Sequence, residues 1–265
     1  MKNVKFKPIY ALIIALCIVM LLFELPELRT LPITDDEAYN RLICRIFPLL
    51  AGCVAVYLLS VEIGLKLFQK PQNLWCLAIA GVVALNNFPW IAWFSGKMQL
   101  IHTQPPHFIL FGLYCALVGV FEEIVFRGIL FSLLLSYFER TKKGFLWVYV
   151  LSSLIFGGMH LLNVFQSGVA AILQAGYSIL TGGLFAYVWI KTKNILFPAL
   201  IHAVYNFCGL LYTKDVGLGL GSVVDLPTGI MMAIIAIICG IFVLISVYKC
   251  SDDERTVLYD RLGLK

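Results

Sequence analysis

The sequence predicts an all-α, polytopic membrane protein of about eight transmembrane helices. Three observations predict it. The chain of 265 residues is 61% hydrophobic and only 13% charged, with a mean hydropathy of +0.91, which excludes an ordinary soluble domain. Apolar runs of spanning length recur along the whole chain. The charged residues are confined to the short segments between those runs. The net charge of +5 is spread over these segments, so it reads as a topology signal rather than as a nucleic-acid surface.

The runs fall near 8–24, 43–61, 74–95, 108–138, 145–166, 169–190, 195–212 and 228–248. Lys2, Lys5 and Lys7 precede the first, as in a signal peptide. No small-x-small cleavage site stands before Glu24-Leu25-Pro26, so the run reads as a first spanning helix or signal anchor. The segment 25–42 follows, with Glu27, Asp35, Asp36 and Glu37 against Arg29 and Arg41, and reads as external. Lys66 and Lys70 follow the second run, Lys97 the third, and Arg140, Lys142 and Lys143 the fourth. The link 165–168 carries no charge; Lys191 and Lys193 follow the sixth run, Lys214 and Asp215 the seventh, and Lys249 opens the tail. This alternation places both termini, Lys142 and Lys193 in the cytoplasm and Asp36 and Lys214 outside, in a multi-pass protein of the cell membrane.

Several finer expectations follow. The fourth run is too long for one simple span, so it projects beyond the bilayer or bends near Gly128. Pro198 lies inside the seventh run and predicts a bend there. Gly157-Gly158 and Gly182-Gly183 suit close helix contact. Gly217 to Gly221 reads as a flexible external loop, and Ser251 to Lys265 as a polar cytoplasmic tail. The eight cysteines lie mostly in apolar stretches without a CxxC pair and read as small apolar filler.

Polar residues inside apolar runs carry the chemistry, because ionisable groups at membrane depth are costly. Glu122, Glu123 and Arg127 stand in the fourth run. Glu123 and Arg127 are i, i+4 neighbours, acid first, and read as an internal ion pair. Glu122 lies about 100° around the helix and reads as the free acid. A polar helix–helix seam would use the same three residues. Of the four histidines, His102 and His107 lie in a proline-containing external segment and read as solvated. His160 shares a face with Phe156, and His202 with Asn206. A carboxylate, two imidazoles and a carboxamide are the parts needed to activate water and stabilise an oxyanion. Counting along the helices places Glu122 and His160 roughly 20–25 Å deep and His202 with Asn206 roughly 10–16 Å deep, compatible with one intramembrane active-site cavity.

Glu122-Glu123-x-x-x-Arg127, Phe156-x-x-x-His160 and His202-x-x-x-Asn206 resemble, in order and complete, the three motifs of the CAAX-prenyl-protease and bacteriocin-processing (CPBP) intramembrane proteases. The resemblance covers about 108–212, a catalytic core. It leaves 1–107 as N-terminal helices without a motif, and 213–265 as loop, last helix and tail. It implies an endopeptidase in which Glu122 is the general base assisted by His160. His202 and Asn206 would stabilise the oxyanion, and Glu123 and Arg127 would be structural. It implies no cofactor; the alternative is zinc held by Glu122, His160 and His202, a set weakened by the lack of HExxH. The implied partners are the lipid bilayer and a peptide or membrane-protein substrate, prenylated or not, with no nucleic acid. Bacteriocin processing falls within the family's range. Two alternatives stand beside the protease: a proton- or ion-coupled transporter, although no inverted repeat is visible, and a non-enzymatic immunity protein of the same fold.

Overall fold

The computed structural model describes residues 8–22, 28, 31–164, 169–214, 216–221 and 226–261. Lys2, Lys5, Lys7, Glu24, Glu27, Arg29, Asp215 and the 165–168 link, used above for topology, lie outside the described residues.

Helix occupies each of the apolar runs. The first, α1, is Pro8–Leu22. Helix α2, Glu37–Glu62, starts where Asp36 accepts the backbone N–H groups of Ala38 and Tyr39 at 2.9 and 3.2 Å. That carboxylate satisfies donors that the first turn would otherwise leave unpaired. The third run departs from expectation. It is broken into α3, Cys76–Asn86, and α4, Trp90–Phe94. Pro89, at the head of α4, supplies no N–H to carry the ladder across, and the Asn87 carboxamide donates to the Tyr205 carbonyl at 2.8 Å. At about 1.5 Å per residue, α3 is too short to span a bilayer alone.

The fourth run is one 33-residue helical rod, Pro105–Tyr137. It consists of α5, Pro105–Glu123, a π-helical stretch, Ile124–Leu130, and α6, Phe131–Tyr137. The expected irregularity near Gly128 therefore takes the form of widened turns, a feature often found at functional sites. Helix α7, Lys142–Met159, is capped by the Thr141 hydroxyl accepting from the Gly144 N–H, and runs into a 3₁₀ turn, His160–Asn163. Then come α8, Val169–Thr192, α9, Leu196–Leu210, α10, Leu226–Tyr248, and α11, Asp252–Arg261.

Among the described residues, four helices are long and apolar enough to cross a membrane: Glu37–Glu62, Pro105–Tyr137, Lys142–Leu162 and Leu226–Tyr248. Pro8–Val19, Cys76–Asn86 and Leu196–Leu210 are apolar but shorter. Among the described residues there is no strand, only two isolated bridges, Phe68 with Asn194 and Leu100 with Gly219. The protein is all-helical, and its apolar helices are those of a membrane protein.

Helix α8 is the centre of the bundle. Residues 181–190 are buried without a break, including Phe185, Tyr187 and Trp189, so this helix has no outward face there. Helix α10 is the opposite case. It exposes Ile230, Ile234, Ile237, Ile238 and Ile241, an apolar surface suited to lipid. Of the four flagged glycines, three sit at close helix contacts. A Cβ on Gly157 would lie 2.7 Å from the Ala175 carbonyl of α8, and Gly182 and Gly183 face Phe156 and Tyr149 of α7; Gly158 faces open space.

Contacts gather the connecting segments at two ends. At one end, loop 63–75 bonds to the α8–α9 junction through Ile195 N–H to Leu67 O and Asn194 Nδ2 to Gln69 O. Lys191 pairs with Glu254 there, Lys142 lies over Tyr248, and Arg140 over Tyr259. At the other end, the N-termini of α2 and α5 meet at Asp36 and His107, and Leu218 accepts the N–H groups of Ile101 and His102.

Four further expectations are corrected. Pro198 falls in the first turn of α9, where no earlier helical carbonyl exists to be freed, so it does not bend the helix interior. Gly217 to Gly221 is not a free loop. Leu218 is fully buried, and side chains at Gly217 and Gly219 would strike the backbone of 210–213. The polar tail carries α11, whose Leu258 and Tyr259 are buried. His107 is not solvated: it is 3% exposed, with its ring 4.4 Å from that of Tyr39.

Candidate active site

The site is assembled where α5, α7, α8 and α9 meet. Gly119, one turn before Glu123, allows α9 to approach: a Cβ there would stand 2.6 Å from the Ala199 carbonyl. This contact brings His202, one turn after Ala199, against the acidic pair. Glu123 is fully buried, and its Oε1 accepts two bonds of 2.8 Å, from Arg127 Nη1 and from His202 Nδ1. Glu123 Oε2 is buried without a partner among the described residues.

Arg127 is held on all sides. Nη2 donates to the Gly182 carbonyl at 2.9 Å. The guanidinium carbon lies 4.2 Å from the ring centre of Phe156 and 5.3 Å from that of Phe185. The aromatic faces and the carboxylate together replace the water that this charge loses on burial. His202 stacks on Phe185, ring centres 4.6 Å apart, and meets the edge of Phe156 at 5.9 Å.

Glu122 differs from its neighbour. Its side chain is 26% exposed and makes no hydrogen bond among the described residues. Its Oε2 stands 3.8 Å from His202 Nε2, beyond direct hydrogen-bond reach. The expectation that Glu122 points away from the ion pair is thus refined: the two carboxylates flank opposite nitrogens of a single imidazole. The π-helical stretch begins immediately after them, at Ile124.

His160 sits at the C-terminal end of α7, where the 3₁₀ turn begins, half-buried. Its Nδ1 donates to the Phe156 carbonyl at 3.0 Å, and its ring packs on Phe156 at 5.2 Å. In a neutral ring, that bond leaves Nε2 with the lone pair. Asn206 is half-buried on α9 and makes no hydrogen bond among the described residues. Phe156 is therefore a hub, touching His160, His202 and Arg127 at once. No bond joins Glu122 to His160 among the described residues.

The alternative zinc set does not converge here. The donor atoms of Glu122, His160 and His202 do not come together as a metal-sized group; among the described residues only Asp36, His102 and His107 do so. Nδ1 of each site histidine is bonded, to Phe156 O and to Glu123 Oε1, which leaves Nε2 as the nitrogen able to meet water, substrate or a metal ion. Two concavities lie away from the site, one of about 480 Å³ along α10 and one of about 140 Å³ between Arg140 and α11.

Sequence reasoning missed Phe185 and the Gly182 carbonyl. Phe185 is one of many aromatic residues in an apolar run, and nothing in its spacing marks it. Gly182 was visible as half of a glycine pair, but as a packing residue and not as an acceptor.

Residues 104–208, which include every residue of this cluster, match the family described as Rce1-like, type II CAAX prenyl endopeptidase Rce1-like. No curated protein and no solved structure matches the chain. The matched segment contains the three motifs. Over residues 104–208, the chain is similar to the Rce1-like type II CAAX prenyl endopeptidases.

Proposed function

We propose that the protein is an intramembrane endopeptidase that hydrolyses a peptide bond of a membrane-associated substrate, with Glu122 as general base. The single observation that carries this reading is the contrast between two adjacent glutamates. Glu123 is spent on Arg127 and His202, whereas the Glu122 side chain is partly exposed and holds no hydrogen bond among the described residues.

In this reading, a water between Glu122 and the two histidines attacks the scissile carbonyl carbon and gives its proton to Glu122. His160 assists, since the bond to Phe156 O turns its basic Nε2 outward from the helix backbone. His202, oriented by Glu123 through Nδ1–H, offers Nε2–H to the oxyanion, and the Asn206 amide offers a second donor. Collapse of the tetrahedral intermediate breaks the C–N bond, and the proton on Glu122 passes to the leaving amine. Glu123 and Arg127 position the machinery without meeting the substrate. Every step is carried by the chain's own side chains.

The family match makes a prenylated C-terminal peptide the first substrate to test, with an unprenylated peptide, a bacteriocin leader or a juxtamembrane segment behind it. The positive-inside rule puts the end bearing Lys66, Lys142, Lys191 and Lys249 in the cytoplasm.

The test is cleavage of paired prenylated and unprenylated peptides by the purified chain in detergent. Glu122→Gln, which keeps the side chain's volume but cannot take a proton, should lose activity by about a hundredfold or more while melting near the native temperature. Comparison of membrane proteomes carrying the native or Glu122→Gln form should show one accumulating precursor. Full cleavage by Glu122→Gln would overturn the assignment. Ion flux through reconstituted vesicles, with no cleavage of any peptide, would favour the transporter.

A further inference from the structure

A second polar cluster lies at the opposite end of α5 from the acidic pair. Asp36 caps α2, His107 is in the first turn of α5, and His102 is in the loop between α4 and α5. One ligating atom of each lies within 4.8 Å of the other two. The three residues come from three separate segments, and none of them belongs to the three motifs.

The bonding within the cluster is incomplete. Asp36 Oδ1 is used on the α2 N-terminus, leaving Oδ2, which meets His107 Nε2 at 2.9 Å. His107 is 3% exposed, and its Nδ1 is buried with no partner among the described residues. A neutral imidazole carries one N–H, so a ring that donates from Nε2 leaves a bare lone pair on Nδ1; a protonated ring leaves an unsatisfied N–H instead. Either state buries an unpaired polar atom, which is costly. The second imidazole, His102, is half-buried with its ring centre 5.0 Å from that of His107.

We propose that Asp36, His102 and His107 form a binding site for a divalent transition metal ion, with zinc as the best match to two imidazoles and a carboxylate. Zinc holds such donors at about 2.0–2.2 Å, so three of them stand roughly 3.4 Å apart. The three ligating atoms already lie within 4.8 Å of one another. An ion on His107 Nδ1 completes the orphaned nitrogen, with Asp36 steering the ring through Nε2–H. An ion on Nε2 takes Asp36 Oδ2 directly. Asp36 holds the His107 ring in the first arrangement and ligates the ion in the second, His102 ligates in both, and the half-exposed Asp36 and His102 leave the remaining positions to water. The ion ties the α2 cap to the start of α5. Because the His102 N–H is bonded to Leu218 O, it also secures the segment after α9.

The test is zinc titration of the purified full-length chain, freed of metal by chelator and carrying no histidine tag, in competition with a chromophoric chelator. One zinc per chain is expected to bind tightly, and to remain bound in Glu122→Gln. His102→Ala should weaken it by about tenfold or more. Asp36→Asn, which keeps the helix cap, is the second variant and should weaken it likewise. Free zinc about a hundredfold above its Kd should raise the wild-type melting temperature by roughly 5–10 °C and leave that of His102→Ala nearly unmoved. Absence of tight zinc in the wild type overturns the proposal. So does zinc binding that survives both His102→Ala and Asp36→Asn, or that is lost in Glu122→Gln alone.

Discussion

Two histidine–carboxylate pairs of nearly the same geometry sit at different depths along α5. His202 meets Glu123 at 2.8 Å and His107 meets Asp36 at 2.9 Å. Their surroundings differ. The Glu123 pair is closed by a guanidinium, two aromatic faces and the Gly182 carbonyl. Among the described residues the Asp36 pair has no guanidinium bonded to it; Arg41, close in sequence, is paired with Glu37. Its carboxylate is held below its ordinary value of 3.8, because burial, which raises it, is outweighed by hydrogen bonds from Tyr39 N–H, His107 and Ala38 N–H. The difference teaches that the same contact serves two ends. Where a guanidinium shares the carboxylate, the pair is a structural anchor. Where none is bonded to it among the described residues, the His107 Nδ1 is left unpaired.

The comparison is broken most directly by removing one charge from each pair. Glu123→Gln leaves Arg127 buried without its carboxylate, and breaking a buried pair costs roughly 3–5 kcal/mol. Arg127→Ala should cost about as much, by stranding Glu123. Asp36→Asn keeps an N-cap of equal quality and should cost less than about 1 kcal/mol. Thermal melts of the purified variants, with specific activity measured on the folded fraction, decide the order. Equal losses would show that depth, and not the completed cation network, sets the energetics. A Glu123→Gln protein that is stable but inactive would reverse the roles of the two glutamates.

A smaller effect sharpens the same point. Gly119→Ala places a methyl against the Ala199 carbonyl at the α5–α9 crossing, where no flexible side chain can yield. The expected cost is about 1–3 kcal/mol. Activity should fall further than stability, because the helix that must move carries His202 and Asn206. A catalytically normal Gly119→Ala would show that this crossing does not position them.

The smallest effect comes from a third pair, at the surface. Lys191 Nζ meets Glu254 Oε1 at 2.9 Å, with Glu254 37% exposed. Burial raises the Glu254 carboxyl, but the bonds from Lys191 and the Ser251 N–H outweigh it, and the net value lies below the ordinary 4.5. A lowered folded-state value means that the stabilisation is fully present above the ordinary value and is lost as pH falls through the lower one. Exposed pairs are worth about 0–1 kcal/mol, so Glu254→Gln should melt slightly below wild type at pH 7. The difference should close as the pH falls below the ordinary value. A constant difference across that range would assign the effect to packing of α11 rather than to charge.

What the sequence determined by itself is local. Length and hydropathy of the runs dictated where helices form, because a chain in lipid must pair its backbone groups internally. The i, i+4 spacing dictated that Glu123 and Arg127 could meet on one helix face, since that geometry needs no second element. The motifs named every residue of the candidate cluster except Phe185 and the Gly182 carbonyl. Tertiary structure decided what depends on the rotation and crossing of helices. It placed His202 between the two glutamates and buried His107 against Asp36. It folded Leu218 into the core and docked α11 through Leu258 and Tyr259. It also selected the broken form of the third run, where the Asn87 carboxamide found a carbonyl on α9. Periodicity states which residues share a face; only the packed neighbour decides what that face meets.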